Sequence, residues 1–279
     1  MASQQERKMG TNQEISSSDS TNNESILDTQ DAIENSKVQK NPNPMCIFTE
    51  RVPFADRIAS EMHISDLNPY VEQYFGYGSP VLVGKEAPKY REDWSLAFDR
   101  KAPLCLELGS GNGFFLAGMA QKYPQYNWLG VEIRYKRVIM VAKKLKTQGV
   151  TNARIMRYDN WCLDDLFLQS SIAHVYCNHP DPWSKDKQAS KRILGKPFAT
   201  WMAWAMQSGG EWRIKTDFRT HIDTMLEVVK GLPFEVLGVA YDAHKNGFPW
   251  ENTEDVMTNY ESKFVQRNEP IYALRLRKM

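Results

Sequence analysis

The chain has 279 residues, of which 42% are hydrophobic, 11% aromatic and 25% charged, a composition typical of a soluble globular protein. Its 35 basic and 34 acidic side chains leave a net charge of +1, so overall charge favours no class of partner. The four cysteines show no C-x-x-C spacing, and no long apolar run is present. These features argue against a disulfide scaffold, a cysteine zinc site and a membrane span. The absence of an apolar leader adds to the expectation of a cytoplasmic protein.

The first 44 residues differ in composition from the rest of the chain. They contain no aromatic residue, and 21 of the 44 are Ser, Thr, Asn or Gln. Such a segment buries too little apolar surface to offset the entropy lost on ordering. We therefore predict a disordered, acidic tail over residues 1–44 and a single domain over residues 45–279.

Residues 45–100 contain four prolines, at positions 53, 69, 80 and 88, and we predict irregular structure there. Beyond residue 103, short apolar runs alternate with amphipathic stretches. Strands are predicted at 104–108, 128–133, 153–158, 172–177, 211–215, 234–240 and 271–276. Helices are predicted at 114–122, 135–148, 197–206 and 221–230. This alternation predicts an α/β fold, a doubly wound Rossmann-like sheet that is mostly parallel and carries helices on both faces.

A glycine-rich loop follows the first strand of this region. Gly109, Gly111 and Gly113 lie between the strand and a helix, where glycine allows positive φ and a close approach of a ligand to the backbone. A dinucleotide-binding loop would place its third glycine where Phe114 stands. The spacing is instead G-x-G-x-G, preceded by Glu107, and this form resembles motif I of S-adenosylmethionine-dependent methyltransferases.

Two further acidic residues end the next two predicted strands. Glu132 ends the second strand, where its carboxylate could accept both ribose hydroxyls of a nucleoside, and Asp159 follows the third, where it could meet an adenine edge. Either acid alone is more readily explained as a helix cap or a solvated strand end. Together with Glu107 and the glycine loop, they favour a nucleoside cofactor, which we expect to be S-adenosyl-L-methionine.

Three later segments carry candidate substrate residues. After the fourth strand, the sequence N-H-P-D-P-W-S-K holds Asp181 and Trp183 in a loop stiffened by two prolines. Trp183 could stack on a base, and Lys187, Lys191 and Arg192 could hold phosphates. The other two segments are K-T-D-F at 215–218 and T-N-Y-E-S-K-F at 258–264.

Taken together, these blocks closely resemble the tRNA (guanine-N7)-methyltransferase family over residues 94–277. The resemblance implies methyl transfer to N7 of the guanosine at position 46, in the variable loop of tRNA. It implies that Glu107, Glu132, Asp159 and Asp181 contact the cofactor and that Asp181 is also the catalytic acid. By the same resemblance, the residues that bind substrate are Lys185, Asp217, Thr258, Asn259, Tyr260 and Glu261, and residues 187–192 contact RNA.

The chain departs from the family at two points, and two other functions stay open. The residue before P-D-P-W is commonly Phe in the family and is His179 here. The run of residues 187–192 also has fewer basic residues than is usual, because three uncharged residues separate Lys187 from Lys191. One alternative is an amino-group methyltransferase acting on adenine or glutamine, because 178–183 loosely resembles its N-P-P-[FYW] loop. The other is a non-catalytic RNA-binding protein on the same fold.

Other expectations concern metals, partners and the second basic helix. The five histidines lack the H-x-x-x-H spacing of a metal site, so we predict no metal. The sequence does not settle whether a protein subunit accompanies the chain. The basic residues of the helix at 135–148 and its start are expected to be mostly solvated surface: Arg134, Lys136, Arg137, Lys143, Lys144 and Lys146.

Overall fold

The computed structural model describes residues 39–40, 47, 50–51, 68–250 and 255–279. All of them fall within one structural unit, residues 38–279. The predicted tail, residues 1–44, lies outside the described residues except for β1, Gln39–Lys40. This short strand pairs antiparallel with β2, Glu50–Arg51.

An eight-stranded sheet organises the rest of the described chain. Its strand order is β3-β6-β5-β4-β7-β8-β10-β9. Neighbours from β3 to β8 are parallel, and β10 is antiparallel to both β8 and β9. The strands are β3 Val81–Leu82, β4 Leu104–Leu108, β5 Asn127–Glu132, β6 Ala153–Arg157, β7 His174–Asn178, β8 Glu211–Thr216, β9 Phe234–Ala240 and β10 Tyr272–Lys278. The predicted, mostly parallel α/β sheet is confirmed.

Seven α-helices lie within the described residues. They are α1 Pro69–Gly76, α2 Phe114–Lys122, α3 Tyr135–Thr147, α4 Lys196–Ala205, α5 Arg219–Val229, α6 Ala243–Asn246 and α7 Glu261–Gln266. The four predicted helices and seven predicted strands are all present, with ends displaced by at most two residues. The strand predicted from residue 172 begins at His174, because Ile172 pairs only in an isolated bridge with Met206.

Side-chain alternation along the strands assigns the helices to both faces of the sheet. In β4, Leu104, Leu106 and Leu108 belong to the hydrophobic core that contains α4 and α5. Cys105 points to the opposite core, which contains α1, α2 and α3. Because alternate residues of a strand share a face, Glu107 lies on the same side as Cys105.

The chain connections place an open crevice at one edge of the sheet. From β4 the strand order runs through β5 and β6 in one direction, and through β7 and β8 in the other. At such a switch point the loops that follow two neighbouring strands diverge, which leaves space for a ligand at the carboxyl ends. The loops after β4 and β7 therefore define where a site can form.

The prediction of irregular structure over residues 45–100 is wrong for the described residues 50–51, 69–76 and 81–82. Pro69 occupies the first helical position of α1, where its missing N–H group has no intrahelical partner to lose. Asn68 caps the helix by accepting a hydrogen bond from the Tyr70 N–H group at 3.1 Å. Buried Tyr74 then donates to the Leu82 carbonyl at 3.1 Å and accepts from the Gly84 N–H group at 2.7 Å. The prediction failed because Pro69 was interpreted as a residue that interrupts a helix, whereas it begins one.

Two absences hold for the described residues. None of the helices traced there is both long and apolar enough to cross a membrane. The three cysteines within the described ranges, Cys105, Cys162 and Cys177, are buried and form no disulfide.

We predict that Gly130→Ala destabilises the protein by about 1–3 kcal/mol, the usual cost of overpacking a core. A methyl group at this position in β5 would lie 2.7 Å from Leu116 Cδ2 and 3.0 Å from Ile155 Cδ1. Gly231→Ala is the matched control, because nothing lies within 4 Å of the added carbon there. Urea unfolding measures both variants, and equal stability of the two would contradict the packing described for β5.

Candidate active site

The glycine loop, residues 109–113, is fixed by backbone hydrogen bonds and close helix packing. The N–H groups of Gly109 and Ser110 both donate to the Val131 carbonyl, at 2.9 and 3.0 Å. Gly113 has φ +72°, and a Cβ atom there would lie 2.8 Å from a methyl group of Val141. Glycine is therefore required at position 113 both for the backbone conformation and for the contact between α2 and α3.

Glu132 fastens the glycine loop from the end of β5. One of its carboxylate oxygens accepts the Gly111 N–H group at 3.0 Å, and the other accepts the Arg134 N–H group at 3.0 Å. A carboxylate oxygen can accept a second hydrogen bond, and Glu132 borders the larger of two cavities described below. The same side chain can thus order the loop and accept two hydroxyl donors.

Glu107, at the end of β4, is an acid held in an apolar setting. It is 1% exposed, and burial raises the pKa of its carboxyl to about 7, with Ser110 and Asn178 offsetting only part of the effect. Asn178 Nδ2 donates to Oε1 at 3.5 Å. Oε2 is buried, and no hydrogen bond to it meets normal geometry among the described residues. A buried acceptor of this kind suits a cationic or N–H donor on a bound ligand.

Two adjoining cavities open at the carboxyl ends of the strands. The larger has a volume of about 840 Å³ and the smaller about 250 Å³. The residues that border both are Gly109, Gly111, Arg137, Asn178, His179, Pro180 and Asp181. The glycine loop and the start of the loop after β7 therefore form the wall between the two cavities.

The larger cavity collects the predicted cofactor residues of β5 and β6. Its lining includes Glu132 and Asp159 together with Trp161 and Cys162. Asp159 also caps the 3₁₀ helix Asn160–Asp165, because its Oδ1 accepts the Trp161 N–H group at 3.0 Å. The acid thus serves as a helix cap and at the same time borders the cavity.

The smaller cavity collects most of the predicted substrate residues. Asp217, which follows β8, borders it together with Thr258, Asn259 and Tyr260 from the segment before α7. Glu107 and Phe114 contribute from the opposite side. Because Asp181 borders both cavities, groups bound in the two spaces would both lie next to this residue.

Arg192 stabilises the P-D-P-W loop, residues 180–183, through hydrogen bonds to its backbone. Its guanidinium donates to the Trp183 carbonyl at 2.9 and 3.2 Å and to the Pro182 carbonyl at 3.1 Å. Trp183 has φ +40°, which non-glycine residues adopt at a cost in energy. Three hydrogen bonds from a charged donor offset that strain. Arg192 was expected to contact phosphates, and the structure shows it bound to the loop backbone.

The lysines near Arg192, at positions 185, 187 and 191, are exposed. Lys185 and Lys187 border neither cavity, whereas Lys191 borders the larger one and its Nζ lies 4.9 Å from the centre of the Trp183 ring. Trp183 also borders the larger cavity. The structure therefore places the tryptophan on the side of the predicted cofactor residues.

The T-N-Y-E sequence forms a capping box at the start of α7. The Thr258 hydroxyl accepts the Glu261 N–H group at 2.9 Å, and the Glu261 carboxylate accepts the Thr258 N–H group at 3.1 Å. This reciprocal pair is the arrangement that S/T-x-x-E predicts at a helix N-terminus. Thr258, Asn259 and Tyr260 border the smaller cavity, whereas Glu261 is 1% exposed.

A buried ion-pair cluster fastens this segment to the sheet. Lys215, in β8, is 1% exposed and contacts Glu261 at 2.7 Å and Asp255 at 2.6 Å. His244 Nε2 lies 2.8 Å from the other oxygen of Glu261. Against the effect of burial, Lys215 holds the pKa of Glu261 below its usual range. At Asp255 burial prevails and raises the pKa.

Two cationic residues at the site were assigned to solvated surface in the sequence. Arg134 borders the larger cavity and Arg137 borders both cavities. Their position in the sequence, at the start of a helix that follows a strand, could have indicated that they lie at the site. The first turn of a helix that follows a parallel strand faces the carboxyl edge of the sheet, and α3 begins at Tyr135, three residues after Glu132 at the end of β5. Among the described residues, no three His, Cys, Asp or Glu side chains cluster as metal ligands do.

Comparisons with known proteins agree on a methyltransferase. A family model described as "Putative methyltransferase" matches residues 101–274. The tRNA (guanine-N(7)-)-methyltransferase of Pediococcus pentosaceus is 30% identical over 198 residues, which are 70% of this chain and 91% of the relative. The enzyme of that name from Limosilactobacillus reuteri is 31% identical over 195 residues, 70% of this chain and 90% of the relative.

Solved structures give weaker matches. The 16S rRNA methyltransferase KamB covers 67% of this chain and 94% of its own, at 10% identity and a TM-score of 0.49. The antibiotic-resistance methyltransferase Kmr covers 68% and 92%, at 15% identity and a TM-score of 0.47. Both scores are low, and the fold assignment rests on the strand order described above.

We predict that Lys215→Met destabilises the protein by about 3–5 kcal/mol, because it leaves two carboxylates in the interior without their cation. Lys230→Met is the control: its ion pair with Glu227 lies at the surface, with the Lys230 side chain 69% exposed, and such pairs contribute about 0–1 kcal/mol. Urea unfolding at neutral pH measures both losses. A loss at position 215 no larger than that at position 230 would show that the cluster does not hold the segment.

Proposed function

Since this chain belongs to the tRNA (guanine-N7)-methyltransferase family, we propose that it transfers a methyl group from S-adenosyl-L-methionine to N7 of a guanosine in tRNA. We further propose that the target is position 46 in the variable loop. The observation that supports this function best is the position of Asp181 at the border of two adjoining cavities. A methyl donor and a base would meet there.

The larger cavity suits the cofactor. The glycine loop turns at three positive-φ glycines, and Glu132 and Asp159 border this cavity. Glu107 borders the adjoining smaller cavity, beside the glycine loop, and keeps one buried oxygen without a regular hydrogen bond. We propose that these residues and Asp181 hold S-adenosyl-L-methionine, with Glu132 accepting the ribose hydroxyls. When bound, the cofactor supplies an electrophilic methyl group on a sulfonium.

The smaller cavity suits the guanine. Asp217 presents a carboxylate, which accepts the two kinds of N–H donor on the Watson–Crick edge, N1–H and the exocyclic amine. Tyr260 offers an exposed ring beside it, a surface on which a base can stack. Thr258 and Asn259 border the same space. We assign these four residues to substrate binding.

The chemistry requires placement of the base and control of charge. N7 of guanine carries a lone pair at neutral pH, so no side chain has to remove a proton before attack. Holding the reactants in line can supply roughly 7–11 kcal/mol of the rate enhancement. The guanine ring gains positive charge as the new bond forms, and a carboxylate beside it stabilises that charge. We assign this role to Asp181.

Two residues act on the site through their neighbours. Glu261 is buried, and its carboxylate already contacts Lys215, His244 and the Thr258 N–H group. We therefore propose that Glu261 does not bind the substrate itself but positions residues 258–260. Arg192 braces the P-D-P-W loop through backbone carbonyls, and we propose the same kind of role for it. Lys185, Lys187 and Lys191 are exposed, and Lys191 also borders the larger cavity, which suits contact of the three side chains with RNA phosphates. Trp183, whose ring faces Lys191, completes this RNA-contact surface.

Both alternative functions fit the site less well. A non-catalytic RNA-binding protein has no use for an intact glycine loop with a carboxylate fastening it at Gly111. An amino-group methyltransferase of the N-P-P-[FYW] type has no counterpart of the T-N-Y-E segment, which here forms one wall of the smaller cavity.

Methyl transfer can be tested with tritium-labelled S-adenosyl-L-methionine and tRNA that lacks 7-methylguanosine. We expect label in tRNA and, after borohydride and aniline treatment, chain cleavage in the variable loop, because that chemistry breaks the strand at 7-methylguanosine. Label without cleavage would indicate an amino-group methyltransferase. Retention of the cofactor without transfer would indicate a binding protein or a missing subunit, and cleavage elsewhere would refute position 46.

We predict that Asp181→Asn lowers kcat by about 10²-fold or more, the usual effect of removing one electrostatic stabiliser from a transition state. The tRNA Kd should change by less than about twofold, because phosphate contacts dominate affinity. Asp186→Asn, at an exposed position five residues later, serves as the control and should retain the parent rate. Single-turnover methylation and filter binding separate the two quantities. A normal rate in Asp181→Asn would remove the residue from the catalytic site.

A further inference from the structure

His179 occupies an unusual place between the two cavities. It follows β7, and its backbone N–H group donates to the Lys215 carbonyl at 2.7 Å, which continues the pairing between β7 and β8. The residue has φ +50°, a conformation in which histidine is enriched over most other side chains. Its side chain is 3% exposed. The imidazole is therefore packed inside the wall rather than open to solvent.

The imidazole contacts the Asp217 carboxylate. Nδ1 lies 3.3 Å from Oδ1 of Asp217, and Nε2 is buried with no hydrogen-bond partner among the described residues. This asymmetry favours the tautomer that carries its proton on Nδ1, because the carboxylate is the acceptor at hand. Although burial acts in the opposite direction, the hydrogen bond from His179 helps to hold the pKa of Asp217 below its usual range.

Aromatic rings fix the orientation of the imidazole. The ring of Phe264 lies parallel to it, with centroids 6.2 Å apart and an interplanar angle of 12°. The ring of Tyr260 packs at 5.1 Å. A phenylalanine at position 179 could make these ring contacts but could not donate to Asp217. The histidine therefore adds one specific interaction, directed at a residue that borders the smaller cavity.

We propose that His179 is a positioning residue, whose Nδ1–H group holds the Asp217 carboxylate in the orientation that accepts the guanine N–H donors. This inference rests on the proposed function and deepens it. The imidazole does not touch the substrate in this role. It acts by restricting the rotation of Asp217 and by keeping its oxygens ionised at the edge of the smaller cavity.

The test separates the N–H donor from the ring. His179→Phe keeps an aromatic ring and removes the donor, whereas His179→Asn removes the ring and places an amide N–H group near the position of Nδ1. We expect kcat/KM for tRNA to fall about tenfold in His179→Phe, the effect of losing a hydrogen bond to a charged group. The loss should appear mainly in KM for tRNA, and His179→Asn should stay within about twofold of the parent. KM for S-adenosyl-L-methionine should not change in either variant.

A double-mutant cycle with Asp217→Asn gives a second, independent readout. If His179 acts through Asp217, the double variant His179→Phe/Asp217→Asn is no worse than Asp217→Asn alone. Additive losses would overturn the inference, as would a His179→Asn variant that folds and is impaired as much as His179→Phe. Should His179→Asn fail to fold, the cycle alone decides. His174→Phe, at the opposite end of β7, controls for the substitution and should retain parent activity.

The activity of the unmodified protein towards tRNA distinguishes failure of the proposed function from failure of the role proposed for His179. Inactivity of the parent towards tRNA refutes the proposed function, and the inference falls with it. An active parent with additive losses refutes only the role of His179.

Discussion

The site depends on one geometric constraint, the divergence of the chain on either side of β4. Because β5 and β7 both pair with β4 in parallel, the loops that follow β4 and β7 leave the sheet in different directions and cannot fill the space above it. The neighbouring strands then deliver their own loops to the same edge. Glu132 ends β5, Asp159 follows β6 and Asp217 follows β8. Two cavities and the wall between them follow from strand order before any ligand is considered.

The sequence predicted those parts of the site that depend on local pattern. Glycines directly after a buried strand, and acids at the ends of the next strands, could be placed because strand periodicity and glycine conformation are local properties. The sheet and its helices followed from the same local patterns, and most of the predicted cofactor and substrate residues border one of the two cavities. The helix that starts at Pro69 did not, because proline at the first helical position and proline inside a helix look alike in sequence. Arg137 was missed for a related reason: its place at the cavities depends on where α3 packs.

Long-range charge pairing set the limit of prediction. Glu261 and Asp217 both belong to sequence motifs that pointed to substrate, yet one is enclosed and the other borders a cavity. The difference comes from Lys215, which lies 46 residues before Glu261 in the chain and meets it only in the folded protein. Arg192 shows the same limit, since a basic residue in an exposed run proved to bind the carbonyls of a loop nine residues earlier. The sequence shows that a side chain is charged. Whether that side chain faces a ligand or pairs with another part of the chain depends on the fold.

The enclosure of Lys215 gives its amine a chemical property that other lysines at the site lack. An ammonium group held between Glu261 and Asp255 is shielded from reagents, so it reacts only when residues 255–266 separate from the sheet. Lys263, in α7, borders the smaller cavity and is exposed, so its amine reacts without such a separation. The ratio of the two acylation rates therefore reports the equilibrium between the assembled and the opened smaller cavity. Lys215 therefore serves as a probe of that opening, and Lys263 serves as the internal reference for its acylation rate.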